Sequence, residues 1–297
     1  MDNLLKRLER PTGPVNAVLD TDTYNEIDDQ FALAYFVKSP EIINPLAVYA
    51  APFKNNRAET PAEGMEKSYD EILNILNLCE RTDVSAYRGS KKYLPDEKTP
   101  VDSPAARDLV ARAMRSDKPL YVLAIGAITN VASAILLEPK IIDKIVVVWL
   151  GGHAHFWPPW GEFNMRQDVA AGRVVFGSGA ALVQLPCWGV VSHLTTTEPE
   201  LRRHIKDTSP LGDYLYEFST KTAIHDGGNA AWSRVIWDIS VIAWLLGENF
   251  VKDSLTPAPI PSYDQGYIHD PNRHMMKVAY HVNRDAIFLD LFQKIKA

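Results

Sequence analysis

The sequence has few of the residues on which several large classes of protein depend. Only two of its 297 residues, Cys79 and Cys187, are cysteine. They could form one disulfide, but so few cysteines in a chain of this length exclude a disulfide framework and are typical of reduced cytosolic thiols. The apolar runs are short as well, and none approaches the length of a membrane span.

The chain also lacks an excess of positive charge, since its 31 Lys and Arg residues are outnumbered by 37 Asp and Glu residues. The net charge is -6 and no block of Lys and Arg occurs, which argues against nucleic acid as a partner because phosphate binding requires clustered positive charge. The first residues, MDNLLKRLERPTGP, are charged and poor in apolar side chains, so they do not predict a signal peptide. Since no membrane segment is expected either, we predict a cytoplasmic protein.

What the chain does have is an alternation of strand-like and helix-like segments. Nearly continuous apolar runs are typical of strands that are covered on both faces. These runs occupy residues 17–20, 43–52, 119–129, 144–152 and 181–192. The helix-like segments between them occupy residues 28–38, 60–80, 103–116, 129–138 and 168–178.

After residue 195 the pattern changes to helical segments near 198–224 and 229–248, followed by one more strand and a terminal helix. Alternating strands and helices imply a mostly parallel sheet with right-handed crossovers. We therefore predict an α/β fold with an open, mostly parallel sheet, flanking helices and a helical C-terminal portion. No linker or repeat divides the chain, so one domain is expected over residues 1–297.

Four aspartates, Asp20, Asp22, Asp28 and Asp29, lie within ten residues, directly after the apolar run AVL. Open α/β sheets place their ligand sites at such strand exits. Crowded carboxylates repel one another, so they need a cation, a shared proton or a network of sugar hydroxyls. A hard cation such as Ca²⁺ or Mg²⁺ suits an all-oxygen cluster. The alternative is an N-cap with surface acids at the start of a helix.

Three further polar groups stand where strands or apolar runs end. Gly126 follows the third strand and is followed by Thr129, which is either a site residue or only an N-cap. Glu162 and Asn164 follow a Gly-Gly turn and an aromatic loop. Asp238 interrupts the apolar run SRVIWDISVIAWLL, and a buried ionised carboxylate is costly unless it is paired or bound to a metal. We therefore expect Asp238 to be a buried ligand.

The ordered set of these motifs resembles the inosine–uridine type of nucleoside hydrolase. The resemblance rests on LDTD and IDD near the N-terminus, ITN after the third strand, GG followed by EFN, and WD near the C-terminus. It runs from about residue 15 to about residue 250. It implies an open α/β fold, a tightly bound Ca²⁺, hydrolysis of the N-glycosidic bond of ribonucleosides, and a homodimer or homotetramer.

The resemblance also implies a role for each matching residue. Asp22 is expected to bind Ca²⁺ and to act as the general base toward the attacking water, and Asp20 to be a supporting acid. The remaining metal ligands implied are Asp29, Asp238 and the backbone carbonyl of Thr129. The ribose contacts implied are Asp28, Glu162 and Asn164, with Asn55 or Asn56 as a further one.

Three departures from the family pattern bear on the substrate. The segment TYNEI between Asp22 and Asp28 is longer than the family's turn, so Asn25 or Glu26 is expected to enter the pocket. Phe156 stands near the place of a ribose-contacting Asn. Trp237 stands where pyrimidine-preferring members often have a histidine, which favours stacking on a purine base.

Two other functions fit parts of the sequence. VLDTDTY fits the opening motif of haloacid-dehalogenase-type phosphatases, with Asp20 as nucleophile, but KIVVVWLGGHAHF lacks the acid that would hold their Mg²⁺. A homologue that binds nucleosides or ribose without cleaving them would explain the altered loops. It would not need a complete set of metal ligands and a base.

Overall fold

The computed structural model describes residues 2–158, 161–225 and 232–297. Its main sheet has eight strands: β1 Val15–Thr21, β2 Ile43–Ala50, β3 Ser85–Arg88, β4 Leu120–Ala124, β5 Ile145–Leu150, β6 Ala181–Leu185, β9 Val251–Pro257 and β12 Met275–Val282. The short strands β7 Thr195–Thr197 and β8 Ser233–Val235 form one antiparallel pair, and β10 Ile260–Pro261 and β11 Tyr267–Ile268 form another.

The helices flank the main sheet. They are α1 Asp2–Leu8, α2 Asp29–Val37, α3 Pro61–Leu78, α4 Pro104–Arg115, α5 Thr129–Leu137, α6 Phe163–Gln167, α7 Val169–Gly177, α8 Glu198–His204, α9 Pro210–His225, α10 Ile239–Leu246 and α11 Arg284–Lys296. None of the helices within the described ranges is long and apolar enough to cross a membrane.

The strand order in the main sheet is β3-β2-β1-β4-β5-β6-β12-β9. Every neighbouring pair is parallel except β12 and β9. The order reverses between β1 and β4, because the chain first builds outward to β3 and then returns to the other side of β1. Such a reversal leaves a crevice at the carboxyl ends of the two strands, where open α/β sheets bind ligands.

Two apolar layers cover the two faces of the sheet. Ala17 and Leu19 of β1 pack into the layer that contains α2, α10 and α11, whereas Val18 packs into the layer with α4, α5 and α7. Successive side chains of a strand point to opposite faces, so a strand between two layers must be apolar throughout. The continuous apolar runs of the sequence have this physical origin.

The predicted α/β class and its open, mostly parallel sheet are confirmed, and so are the final strand and terminal helix, β12 and α11. The helix predicted over 229–248 is wrong in its first half. Residues 229–231 lie outside the described part of the chain, and Ser233–Val235 pairs with β7 as a strand, so α10 begins only at Ile239. The C-terminal portion also contributes β9 and β12 to the main sheet.

Candidate active site

A cavity of about 250 Å³ opens at the carboxyl ends of β1, β4, β5 and β6. One part of its wall is acidic and contains Asp22, Glu26, Asp28, Asp29, Glu162 and Asp238. Another part is mainly aromatic or apolar and contains His153, Phe163, Cys187, Trp188 and Trp237. Among the described residues that line the cavity there is no Lys or Arg.

Three of the acids converge on one point. Asp28, Asp29 and Asp238 each offer a carboxylate oxygen, and these oxygens lie within 4.8 Å of one another. All three side chains are buried. Asp22 is buried beside them, and both of its carboxylate oxygens lack a hydrogen-bond partner among the residues described. Buried polar atoms normally have partners, so these two oxygens are placed to bind a ligand.

Burial raises the pKa of each of these four carboxyl groups, and repulsion by neighbouring aspartates raises the pKa of Asp22, Asp28 and Asp238 further. Burial raises the pKa of Asp22 and of Asp238 well above the usual range, with neighbouring aspartates adding to the effect. Burial likewise raises the pKa of Asp28, with Glu26 as the next cause. The pKa of Asp29 rises to about 7 because of burial, although a hydrogen bond from Thr21 opposes the shift. The cluster therefore needs protons or a cation, and its all-oxygen donors fit a hard divalent cation.

The helix-capping explanation of the aspartates does not hold. Asp28 and Asp238 precede α2 and α10, yet neither side chain caps its helix. Instead, the backbone N–H of Trp237 donates to Asp28 Oδ2 at 3.0 Å, and Thr21 Oγ1 donates to Asp29 Oδ1 at 2.6 Å. These bonds hold the carboxylates toward the cavity.

Gly126 lets Asp22 sit where it does. A Cβ atom at this position would lie 2.8 Å from Asp22 Oδ1, which is closer than real Cβ contacts come. Any side chain here would displace the carboxylate, so Gly126 has a steric function beyond forming a turn after β4.

Asp20 lies behind the cavity and does not line it. Asn130 Nδ2 donates to Asp20 Oδ1 at 2.7 Å and to the Ala50 carbonyl at 3.2 Å, and Asn130 Oδ1 accepts from Ser90 N–H at 2.8 Å. Burial raises the pKa of Asp20 to about 7. Asp20 is thus placed as a supporting acid, and this position contradicts its use as a phosphatase nucleophile. Asn130 belongs to the ITN motif, but no role in the site was predicted for it.

Glu162 and Asn164 are held in the cavity wall by backbone groups. Glu162 accepts from the N–H groups of Gly152, Asn164 and Met165, each at 2.8 Å. Burial raises its pKa, although these bonds oppose the shift. Asn164 Nδ2 donates to the carbonyls of Ile125 and Leu150 at 3.0 Å, so the ends of β4 and β5 fix this side chain. Its amide oxygen remains for the cavity.

Thr129 does not line the cavity. Thr129 is the first residue of α5 and is fully buried, and its Oγ1 donates to Asp168 Oδ2 at 2.7 Å. Asp168 in turn caps α7 through the Ala171 N–H. The Thr129 side chain therefore connects two helix starts behind the site.

Asn55 and Asn56 do not line the cavity either, although Asn55 was expected to contact ribose. Asn55 Nδ2 donates to Asn25 Oδ1 at 2.7 Å, and it is the buried Asn25 that reaches the cavity. Glu26 lines it as well. The lengthened TYNEI loop therefore enters the pocket, as its length predicted, and displaces Asn55 from it.

The aromatic loop differs from the expectation in one respect. Phe156 does not line the cavity and is 78% exposed, so it does not take the place of a ribose contact. Pro159 and Trp160 of the same loop lie outside the described residues. Trp237 lines the cavity, as predicted, together with Trp188, which the sequence did not single out. His153 Nδ1 accepts from the Trp188 N–H at 3.3 Å, and burial lowers the pKa of His153 to about 4.

An open parallel sheet with a buried acidic cavity at its carboxyl edge defines an α/β enzyme that binds a polar small molecule at a switch point of the sheet. Comparison with known proteins makes this more specific. The family model described as inosine-uridine preferring nucleoside hydrolase matches residues 17–288, and the chain belongs to that family. The resemblance read from the motifs is confirmed, and an N-ribosyl hydrolase is confirmed as the class of enzyme.

Individual relatives agree with this assignment. The chain is 32% identical over 258 residues to the pyrimidine-specific ribonucleoside hydrolase RihA of Shewanella sp. strain MR-7. The aligned region covers 77% of each protein. The fold of the present chain is similar to that of the plant nucleoside hydrolase PpNRh1, with a TM-score of 0.78 and 19% identity. The match covers 96% of this chain and 99% of the other. The structure of the purine-preferring ribonucleoside hydrolase of Gardnerella vaginalis matches with a TM-score of 0.76 and 22% identity. This match covers 95% of the present chain and 98% of the other.

Proposed function

We propose that this protein hydrolyses the N-glycosidic bond of purine ribonucleosides to free base and ribose, that it depends on Ca²⁺, and that Asp22 is the general base. One observation carries the proposal. Asp22 is buried beside Asp28, Asp29 and Asp238, and neither of its oxygens accepts a hydrogen bond from a described residue. A carboxylate kept buried and unpaired is suited to take a proton from a water molecule.

The residues that would hold the cation are Asp22, Asp29 and Asp238, which all line the cavity, whereas Thr129, expected from the resemblance to be a further ligand, does not line it. The aspartate oxygens match the preference of Ca²⁺, and Asp29 and Asp238 belong to the group whose carboxylate oxygens lie within 4.8 Å of one another. When bound, Ca²⁺ supplies positive charge that keeps the carboxylates ionised and lowers the pKa of water.

The acidic wall has two tasks toward the substrate. Glycosidic cleavage develops positive charge on the sugar, and carboxylates fixed around it stabilise that charge. Asp28, Glu162 and Asn164 also hold the ribose hydroxyls. Glu162 lines the cavity, and the three backbone N–H groups that donate to its carboxylate fix its orientation. Held in this way, the ribose presents one face to the water beside Asp22.

The base is proposed to stack on Trp237. Some relatives are named pyrimidine-specific and a structural neighbour purine-preferring, so membership of the family does not fix the base. A purine offers a larger stacking surface than a pyrimidine to the indole of Trp237. Burial keeps His153 neutral at physiological pH, so it does not act as a strong acid toward the leaving base.

Release of free ribose from inosine, adenosine, guanosine, uridine and cytidine tests this function directly. We expect Ca²⁺-dependent release, with the three purine nucleosides ranked above the two pyrimidine nucleosides by kcat/KM. Release that is ranked in the opposite order would contradict the role of Trp237. If none of the five nucleosides is cleaved with Ca²⁺ present, the protein is a binder of ribosides and not a hydrolase.

Asn25 is predicted to donate its amide N–H to a ribose hydroxyl, because Asn55 fixes its amide oxygen. We expect Asn25→Ala to lower kcat/KM for inosine by about tenfold, the value of one hydrogen bond. Asn55→Ala should cause a smaller loss, and the double variant should be no worse than Asn25→Ala. Asn44→Ala, which removes an exposed amide pair on β2, is the matched control.

Deoxynucleosides distinguish a hydrogen bond between Asn25 and the ribose from a purely structural role of Asn25 in the cavity wall. With 2′-deoxyinosine and 3′-deoxyinosine as substrates, one of the two should no longer respond to Asn25→Ala, since the partner hydroxyl is missing. Equal losses on inosine and on both deoxy compounds would show that Asn25 does not bind the sugar.

A further inference from the structure

Four aromatic side chains form a continuous row that begins in the cavity and ends at the surface. The rings of Trp237 and Trp188 both line the cavity, and they meet edge to face with centroids 5.5 Å apart at 68°. Trp188 stacks on Trp157 at 6.1 Å and 18°, and Phe156 meets Trp157 at 6.5 Å. We refer to these four residues as the aromatic row.

Two members of the row are unusually exposed for their size. Trp188 is 43% exposed and Phe156 is 78% exposed. Large aromatic side chains contribute most when they are covered, and contiguous exposed apolar surface marks binding sites. Because the row continues the wall of the cavity, the occupant that fits it is a ligand already seated in that cavity.

The orientation of such a ligand follows from the neighbours of Trp237. Its backbone N–H donates to Asp28, and the next residue in the chain is Asp238. A ribose held by these acids places its aglycone against Trp237, and an aglycone longer than one base next reaches Trp188. The Trp188 ring is held for this contact by its stacking on Trp157, and its backbone N–H is held by His153.

We propose that the aromatic row extends the aglycone site, so that the enzyme favours ribosides whose planar aromatic aglycone is larger than a purine. This inference rests on the proposed hydrolysis of ribonucleosides. The reaction is unchanged: water adds to C1′, the C1′–N bond breaks, and its electron pair stays on the aglycone nitrogen, which takes up a proton. The additional ring of the aglycone lies on Trp188.

The test compares adenosine with 1,N⁶-ethenoadenosine, whose aglycone has three fused rings, in the wild-type enzyme and in Trp188→Ala. We expect the variant to lose about tenfold in kcat/KM for ethenoadenosine, as alanine replacement of a stacking aromatic typically does, and less than about threefold for adenosine. The different reactivities of the two leaving groups do not affect the result, because kcat/KM for each substrate is compared between the wild-type enzyme and the variant. Trp188→Phe, which keeps a ring, should retain most of the preference.

Tyr280→Ala provides the matched control, since this aromatic on β12 is 57% exposed and lies outside the cavity lining. Equal losses on both substrates in Trp188→Ala, or no loss on either, would overturn the inference while leaving the hydrolase assignment intact. If the wild-type enzyme releases no ribose from adenosine, inosine or guanosine, the proposed function has failed, and this inference fails with it.

Discussion

Asp22→Asn is expected to lower kcat for ribose release by about a thousandfold. Unusually for a substitution at a buried position, it is also expected to raise the melting temperature of the metal-free protein. The loss of activity follows because an amide cannot take a proton from water. The gain in stability follows because Asp22 is buried, its oxygens are unpaired, and Asp28 and Asp29 repel it. Asn has nearly the same shape, so packing is preserved.

The control is Asp253, another buried carboxylate, which is paired with cations, whereas Asp22 is surrounded by other acids. Asp253 on β9 forms ion pairs with Arg10 at 2.5 Å and Lys277 at 2.9 Å, and it does not line the cavity. Asp253→Asn should therefore lower the melting temperature, because it removes the ion-pair partner of two largely buried cations, and should keep kcat. Wild-type kcat in Asp22→Asn would refute the general-base role, and a lower melting temperature in chelator would show that Asp22 is structural.

Removal of Ca²⁺ is expected to abolish activity and to make stability depend strongly on pH. In chelator, the melting temperature should fall by about 5 °C or more between pH 5 and pH 8, since each kcal/mol corresponds to a few degrees. With Ca²⁺ in excess, the fall should be much smaller or reversed. Thermal unfolding at several pH values, with and without the cation, measures both.

The sign follows from the raised pKa values. Asp20 and Asp29 titrate at about 7 in the folded protein, whereas an aspartate in an unfolded chain titrates near 4. Between these values the folded state binds more protons than the unfolded state, so its stability is present at low pH and is lost as the pH rises through about 7. Ca²⁺ requires ionised carboxylates, and its stabilisation therefore grows over the same interval.

The Asp22→Asn variant provides the check on this account. With one acid fewer in the cluster, its melting temperature in chelator should fall less between pH 5 and pH 8 than that of the wild-type protein. An identical fall in both proteins would assign the pH dependence to groups outside the cavity, and an unchanged melting temperature on adding Ca²⁺ at pH 8 would refute the metal site.

The central strands and the acidic cluster could be predicted because both are local in sequence. β4 and β5 are covered on both faces, so their apolar runs are continuous, and Asp22 stands at a strand exit where a sheet exposes its ligand site. β3 and β9 escaped prediction because they include exposed residues and belong to the sheet mainly by backbone pairing. An edge strand does not need an apolar sequence.

The residues that were missed or misplaced in the site depend on contacts between distant segments. Asn55 follows β2 at a position that matches a ribose ligand, but a side chain 30 residues earlier in the chain, Asn25, occupies the cavity in its place. Trp188 has no distinctive sequence context, and only its position beside Trp237 gives it meaning. Asn130 is similar, since its role depends on Asp20, 110 residues away.

The hydrogen bond from Trp237 to Asp28 joins residues that are 209 positions apart in the sequence. During synthesis, the two halves of the site are therefore made at different times. At about 5–20 residues per second, a ribosome adds the second half of the site roughly 10–40 s after the first. Until then the aspartates near the N-terminus lack Asp238, and β12 and β9 are missing from the sheet. The proposed cation site is therefore completed only after Asp238 has been added, and we expect a product truncated before that residue to bind Ca²⁺ more weakly than the full chain.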